Sequence, residues 1–259
     1  LSRPTLTKIN FLAERLDMNL FSLMPDYTEL PKEYLDLKYQ LLRNTTYSDK
    51  RKIYEEEKRF EIIYENYYED LPEEEQLIVD ILTTISDVNE SELIELGNHL
   101  VEDYLDQLKK KNTYTLNDLL LIKLLLIIMI HDDDIYCNPG WKLLPKIVQR
   151  LLVDDGELLI YQQFVLRDTL FLALGLFFRL GDYKKVREIL DRLIQIMERT
   201  QDYQKKSLID MFEWKYYLSY KNDKKEAKEH YESAIHFAEM IKEEMLLKKL
   251  KQEWQQDIK

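Results

Sequence analysis

The chain has 259 residues, 45% of them hydrophobic, with only 5 glycines and 6 prolines. This composition excludes a disordered polypeptide and disfavours a sheet-rich fold, because helix-forming residues are abundant and turn-forming residues are scarce. The formal net charge of −12 disfavours binding of these residues to nucleic acid phosphates and favours a basic partner.

The amino-terminal residues 4–24 carry apolar side chains at helical spacing with one interruption. The pattern predicts two short helices. Pro25 and Pro31 bracket the polar stretch that follows, and proline cannot continue a helix. Residues 25–31 are therefore predicted to form a linker.

From residue 32 onward a helical period recurs, with short loops between the periodic segments. Acidic residues in the segments LPEEEQ (71–76) and NESE (89–92) are predicted to mark helix starts, because the helix dipole favours negative charge in the first turn. The predicted helices cover 34–43, 49–68, 72–85, 90–110, 115–130 and 141–153, followed by four more, the last of which is one helix over about 225–256.

An internal repeat organises the second half of the chain. The segment GDYKKVREIL (181–190) matches NDKKEAKEHY (222–231), which gives a period of 41 residues. Each unit is predicted to be a helix, a turn that contains Asp182 or Asp223, and a second helix. Stacked pairs of this kind bury their apolar faces against one another. We therefore predict an all-α, right-handed solenoid of tetratricopeptide-like helix pairs, whose concave groove binds an extended peptide or a helix.

One cluster contains residue types that bind metals, namely residues 131–134 (HDDD) with Cys137. Consecutive carboxylates after a very apolar helix are more often a solvated loop than a metal site, which needs further ligands that converge from elsewhere. The other histidines, His99, His230 and His236, have no nucleophile at a triad spacing, and no glycine-rich phosphate-binding motif occurs. We predict that the chain is not an enzyme and uses no cofactor or metal.

The carboxyl-terminal helix carries an apolar stripe among lysines and glutamates. A terminal repeat normally presents a polar outer face. The stripe therefore indicates either a cap that folds back on the domain or a surface that pairs with a second copy, and the sequence leaves both open. The stripe comprises Ile241, Met245, Leu246, Leu250 and Trp254.

Three features predict a cytoplasmic protein. Cys137 is the only cysteine, so no disulfide forms within the chain. The most apolar run, residues 119–130, contains Lys123 and is shorter than the roughly 20 residues that span a bilayer. Residues 1–10 lack the apolar region of a signal peptide.

Several ordered segments resemble a known family of regulators. The segment PTLTKINFLAERLDMNLFSLM is similar to the last two helices of an Xre-type helix-turn-helix domain. The later segments ELPKEYLDLKYQLLRNTTYSDKR, YYEDLPEEEQLIVDIL, RTQDYQKK and KEAKEHYESAIHFA resemble ComR-type peptide-pheromone receptors of the Rgg group of streptococcal transcription regulators. The resemblance divides the chain into a helix-turn-helix remnant (1–24), a linker (25–31) and a tetratricopeptide-like domain for peptide binding and dimerisation (32–259).

The resemblance implies a cytoplasmic, competence-type transcription activator in quorum sensing. Its repeat domain is expected to bind a short, hydrophobic imported pheromone peptide in the concave groove. The peptide-bound form is expected to be a homodimer through Met245, Leu246, Leu250 and Trp254. Promoter DNA is then expected to be a partner only of an intact protein that carries the full helix-turn-helix. The sequence starts after the scaffold and recognition helices of that domain, so we expect this chain to have negligible affinity for DNA. The alternative is a constitutive helical-repeat scaffold for a protein partner.

The resemblance also implies a peptide-binding site. Thr46 matches the family, and Glu56 stands where relatives have a basic residue. Arg167 and Asp168 correspond to an asparagine-rich stretch of relatives, and Ile127 stands at an apolar or aromatic position. Glu56 repels a peptide carboxylate unless Arg167 compensates. We therefore expect a hydrophobic or aromatic peptide with few acidic side chains near Glu56; the alternative is that Glu56 points to solvent.

Lys205, Lys206 and Ser207 are further candidates from the match of the QKK segment. Two roles are open for them. They either hold the carboxyl terminus of the peptide or end a helix favourably.

Overall fold

A computed structural model of the chain describes residues 30–44, 46–47, 49–132, 134, 138, 140–153 and 158–259. Across these ranges every regular element is a helix and no strand occurs, which confirms the all-α class. The predicted helix-turn-helix remnant at 1–24 and most of the predicted linker at 25–31 lie outside the described residues. Among the helices described, none is long and apolar enough to cross a membrane.

The described ranges form eleven α-helices, and the helices predicted between residues 34 and 153 are all present with shifted bounds. Short 3₁₀ turns occur at Tyr68–Asp70 and Trp141–Leu143, and a π-helical turn at Tyr217–Lys221 continues the ninth helix. The bounds are α1 Lys32–Arg43, α2 Lys50–Asn66, α3 Glu73–Ser91, α4 Glu95–Lys110, α5 Leu116–His131, α6 Leu144–Leu151, α7 Ile160–Leu180, α8 Tyr183–Thr200, α9 Lys206–Tyr216, α10 Lys224–Met240 and α11 Glu244–Asp257.

Helix α5 lies at the centre of the main core. Between residues 119 and 130 it is apolar all round apart from Lys123, and most of its residues are buried, as expected for a helix that has no polar face. Helices α3, α4 and α7 pack against α5, and α8 packs against α7. The side chain of Thr115 and that of Asp118 form a reciprocal capping box that fixes the start of α5.

Matching helix boundaries confirm the repeat of 41 residues. Gly181 (φ 69°) and Asn222 (φ 52°) adopt the left-handed backbone conformation that ends a helix. Asp182 and Asp223 follow them, and each carboxylate accepts hydrogen bonds from backbone N–H groups in the first turn of the next helix. The hand of the solenoid stays a prediction.

Two predicted helix boundaries are wrong. The NESE segment does not start a helix, because Ser91 ends α3, Glu92 has a φ of 58°, and α4 begins only at Glu95. The apolar pattern of α3 extends to the buried Val88, so core packing carries the helix into this segment. The predicted single terminal helix over 225–256 is two helices, because Lys242 has a φ of 58° and the chain reverses there.

Helix α11 folds back onto α10. Leu246 and Leu250 are buried with Trp214 and with three alanines of α10. Trp254 stacks on Tyr231 with ring centroids 4.5 Å apart, whereas Met245 is 39% exposed. The stripe therefore forms a folded-back cap within one chain. Dimerisation through these residues stays a prediction, and Leu246 and Leu250 can take part only if α11 leaves this position.

Candidate functional site

A cavity of about 390 Å³ lies between α2, α3, α5 and the segment that joins α1 to α2. Its lining includes apolar side chains such as Phe60. Helices α2 and α3 contribute the carboxylates Glu56 and Glu90, whereas α5 contributes Lys123 and His131. A mixed lining of this kind suits a ligand that carries apolar groups and a few charges together.

Two of the predicted site residues, Thr46 and Glu56, line this cavity. Glu56 is half-buried, and its carboxylate accepts a hydrogen bond from the side-chain amide of Asn44. The carboxylate is thus held at the cavity, and the alternative of a solvent-facing Glu56 on an ordinary acidic helix face does not hold.

Arg167 and Asp168 belong to a buried set of charges that we call the α7 charge network. Arg167 Nε lies 3.0 Å from Asp168 Oδ1, and Arg167 Nη1 lies 3.0 Å from Asp202 Oδ2. Lys205 Nζ lies 3.3 Å from Asp168 Oδ1, and Arg43 Nε lies 3.5 Å from Asp202 Oδ2. Arg167 is only 1% exposed. The network therefore ties α1, α7 and the α8–α9 connection together in the interior.

The cations of this network keep its carboxyl groups ionised. Burial alone raises the pKa of Asp168, but the charges of Lys205, Arg167 and Lys123 outweigh burial and lower that pKa below its usual range. Burial likewise opposes ionisation of Asp202, and a backbone hydrogen bond together with Arg167 lowers its pKa. Since Lys123 lines the cavity and also acts on Asp168, the network lies next to the cavity.

Sequence reasoning missed two members of the network, namely Arg43 and Asp202, whereas Lys205 was a candidate from the QKK segment without any link to Arg167 or Asp168. The available signal was the pair Arg167 and Asp168 within the apolar stretch QFVLRDTLFLAL of α7, because a charge on a buried helix requires a partner. The partners come from α1 and from the α8–α9 connection, which only the fold brings next to α7.

Contacts between distant parts of the chain enclose this region. Lys52 Nζ of α2 lies 2.6 Å from Oε1 of Glu243, which precedes α11. The hydroxyl of Tyr47 donates to the backbone carbonyl of Gln204 over 3.5 Å. Helix α1 also packs against α7. The cavity and the network are thus bounded by elements from both ends of the described chain.

The remaining predicted site residues lie elsewhere. Ile127 is 2% exposed in the core and does not line the cavity. Ser207 is fully buried, and its hydroxyl donates to the carbonyl of Ala234 over 2.9 Å. Lys206 begins α9 and forms an ion pair with Asp210. The alternative that Lys206 ends a helix favourably is therefore wrong, while a peptide contact for these residues stays a prediction.

The HDDD segment shows no metal site where it is described. Within the ranges that the structure covers, no group of three or more histidine, cysteine or acidic side chains is arranged to hold a metal ion. Asp133 and Cys137 lie outside those ranges. Asp132 instead accepts a hydrogen bond from the side chain of Asn138 over 3.0 Å.

Replacing Asp202 by asparagine should destabilise the protein more at neutral pH than in acid. The pKa of Asp202 is lowered in the folded state, so its ionised form contributes stability that is present above the unfolded pKa of about 4 and is lost as the pH falls through the folded pKa. We expect the difference in free energy of unfolding between wild type and Asp202→Asn, measured with urea, to shrink between about pH 7 and pH 3.

Asp106→Asn is the control for this prediction. The pKa of Asp106 is also lowered, by a hydrogen bond from Lys109, but Asp106 lies on the surface with its side chain 82% exposed. Solvent screens such a pair, so the variant should match wild type at both pH values. An Asp202→Asn defect that is equally large at both pH values would contradict the stabilising role of the ionised carboxylate.

Comparison with known proteins identifies a family. Residues 31–254 match the family model described as ComR tetratricopeptide. That range covers all of the helices from α1 to α10 and most of α11. Among curated proteins, no match was found.

Three solved structures are similar in both sequence and fold. ComR from Streptococcus suis is 33% identical with a TM-score of 0.71, over 100% of this chain and 83% of that one. ComR from S. thermophilus, in complex with DNA and its signalling peptide ComS, is 28% identical with a TM-score of 0.77, over 99% and 86%. The competence regulator ComR from Streptococcus vestibularis, in complex with its cognate signalling peptide XIP, is 28% identical with a TM-score of 0.79, over 89% and 99%.

Proposed function

Because the chain belongs to the ComR tetratricopeptide family, we propose that its helical domain is the peptide-sensing part of a competence-type transcription regulator. Relatives of known structure are bound to the signalling peptides ComS and XIP, and one of them also to DNA. In this proposal a short imported peptide binds in the cavity between α2, α3 and α5, and Thr46 and Glu56 contact it. The role is binding and switching, and no catalytic step is assigned to any residue.

The cavity is the observation that carries the proposal. Its volume of about 390 Å³ accommodates a few residues of a peptide. The cavity is lined by α1, the segment after it, α2, α3 and α5, and α1 packs against α7, so a peptide that shifts α1 also changes its contacts with α7. Arg167 and Asp168 are proposed to act from the wall behind the cavity, since both are buried. Contacts of the peptide with Ile127, Lys206 and Ser207 require the helices to move on binding.

Selection from mixtures of short synthetic peptides tests this proposal. We expect the protein to retain a subset of peptides, mostly hydrophobic or aromatic, and light scattering to report a rise from the mass of one chain, 31.5 kDa, to about twice that mass. Thr46→Val, which keeps the shape and removes the hydroxyl, should weaken retention. A protein that retains no peptide would refute peptide sensing.

The alternative function is a constitutive repeat scaffold for a protein partner. The two functions differ in their response to peptide, because a scaffold needs no switch. The scaffold function is supported if the chain binds a folded partner equally well with and without peptide, and if its mass in solution does not change when peptide is added. The burial of Leu246 and Leu250 in the cap favours a switch, since a dimer through these residues forms only after α11 is released.

DNA and cellular location complete the proposal. Promoter DNA is the proposed partner of a protein that carries a whole helix-turn-helix, and peptide binding is proposed to permit that contact. A cytoplasmic location is proposed from the single cysteine of the sequence.

A further inference from the structure

Lys123 forms no ion pair within 4.0 Å with any described residue, although its charge acts on Asp168. It is the only charged residue in the apolar run 119–130 of α5, and it lines the cavity in a half-buried position. Neither Glu56 nor Glu90, which line the same cavity, forms an ion pair with it. A partly desolvated ammonium group is costly unless an anion or water compensates it. Lys123 is thus available to an anion that enters the cavity.

Arg167, which pairs with the Asp168 on which Lys123 also acts, has an unused donor. Its Nε and Nη1 bind Asp168 and Asp202, but its buried Nη2 has no hydrogen-bond acceptor among the described residues. A buried donor without an acceptor destabilises the folded state, and buried donors in folded proteins nearly always have a partner. The unused Nη2 is therefore a second position that lacks an acceptor, and since Arg167 does not line the cavity, a ligand reaches it only if the lining rearranges.

The charges around Asp168 are also unbalanced. Lys123 acts on Asp168 together with Arg167 and Lys205, so three cations surround one carboxylate. The other carboxylate of the α7 charge network, Asp202, is shared between Arg167 and Arg43. The network and Lys123 thus comprise four cations and only two carboxylates. On the side of the cavity that α2 and α3 form, the lining contains the carboxylates of Glu56 and Glu90 instead.

We propose that Lys123 binds a carboxylate of the peptide ligand, and that Nη2 of Arg167 donates to the same carboxylate once the cavity lining has rearranged. The inference rests on the proposed peptide-binding function and adds the chemistry of its ligand. Glu56 and Glu90 repel this carboxylate from α2 and α3, so it is directed to the α5 and α7 side of the cavity. The peptide thereby binds in one orientation, with neutral or basic groups next to Glu56.

Two sources of the carboxylate are distinguished by two sets of synthetic peptides. The first set has no acidic side chains and compares free carboxyl termini with amidated ones. The second set is amidated throughout and compares Asp or Glu with Asn or Gln at each position. We expect wild type to prefer the acid in one of the two sets by about tenfold, since a hydrogen bond to a charged group contributes that much to affinity. The set that shows the preference identifies the carboxylate.

Variants of Lys123 test the assignment. Lys123→Met removes the charge and keeps an apolar stem, so the preference for the acid should fall to less than about twofold, whereas Lys123→Arg should keep it. Lys142→Met, at an exposed position outside the cavity, is the matched control and should bind as wild type does. Thermal unfolding of each variant shows that the fold is retained.

Two results would overturn the inference and leave the proposed function standing. In the first, wild type binds the acidic and the amidated peptides equally well. In the second, Lys123→Met prefers the acidic peptide as strongly as wild type does. If wild type retains no peptide at all, the proposed function fails and the inference fails with it. These outcomes are distinct, because the first two require bound peptide.

Discussion

Replacing Trp214 by alanine is expected to destabilise the carboxyl-terminal helices by about 3–5 kcal/mol, the usual cost of truncating a buried aromatic side chain. Trp214 is fully buried. Its ring packs edge-on against Tyr231 and Trp254, with centroids 5.6 and 5.8 Å away. Its indole Nε1 donates to Asp257 Oδ2 over 2.8 Å. The substitution thus removes the side chain that α9, α10 and α11 share.

The loss should be confined to one end of the molecule, because Trp214 belongs to a hydrophobic cluster that is separate from the main core. We expect hydrogen exchange to become fast in α10 and α11 and to stay slow in α5. Tyr54→Ala is the control, since Tyr54 is 55% exposed on α2, and it should change stability by less than about 1 kcal/mol. Faster exchange throughout the chain, or none, would contradict a separate terminal unit.

This arrangement bears on the predicted dimer. Leu246 and Leu250 lie in the same cluster as Trp214, so a dimer through them must first replace the packing that Trp214 provides. Met245 is the member of the stripe that is accessible without such a change. A peptide that strengthens dimerisation therefore has to stabilise the open position of α11 more than the closed one.

The helices of this fold could be predicted from the sequence because their signals are local. Asp182 and Asp223 recur at the same place in two repeats, and each caps a helix. The run 119–130 has no polar face, and α5 is accordingly the centre of the core. The wrong boundaries are those where tertiary packing prevailed over a local signal, as at Val88, or where a non-glycine residue adopts a positive φ, as at Lys242.

The candidate site could be predicted only in part. Thr46 and Glu56 are close in sequence and lie in one cavity. The other members of the α7 charge network could not be linked to Arg167, because Arg43 is 124 positions before it and Asp202 is 35 positions after it. Lys123 was seen only as an interruption in an apolar helix. Its place at the cavity depends on how α2 and α3 pack around α5, which no local pattern encodes.

Replacing Arg167 by methionine is expected to cost about 3–5 kcal/mol, the cost of removing one partner from a buried ion pair. The substitution keeps most of the apolar volume and leaves each carboxylate with one ion-pair partner among the described residues, Lys205 for Asp168 and Arg43 for Asp202. Most of the loss is therefore electrostatic. Urea unfolding at neutral pH measures it, and Asp202→Asn in the Arg167→Met background should recover part of it, because it removes one of the two buried carboxylates that have lost the charge of Arg167.

The control for Arg167→Met is Lys228→Met, because Lys228 pairs with Glu232 on the surface of α10 and its side chain is 67% exposed. Solvent already screens that pair, so its loss should change stability by less than about 0.5 kcal/mol. If Arg167→Met lowered the free energy of unfolding no more than Lys228→Met does, the α7 charge network would contribute no net stability. A large loss at Arg167 also explains why Lys123 is the better probe of ligand recognition. Removal of Arg167, which holds three elements together, weakens peptide binding through the fold, whereas Lys123 forms no ion pair with a described residue that its replacement would break.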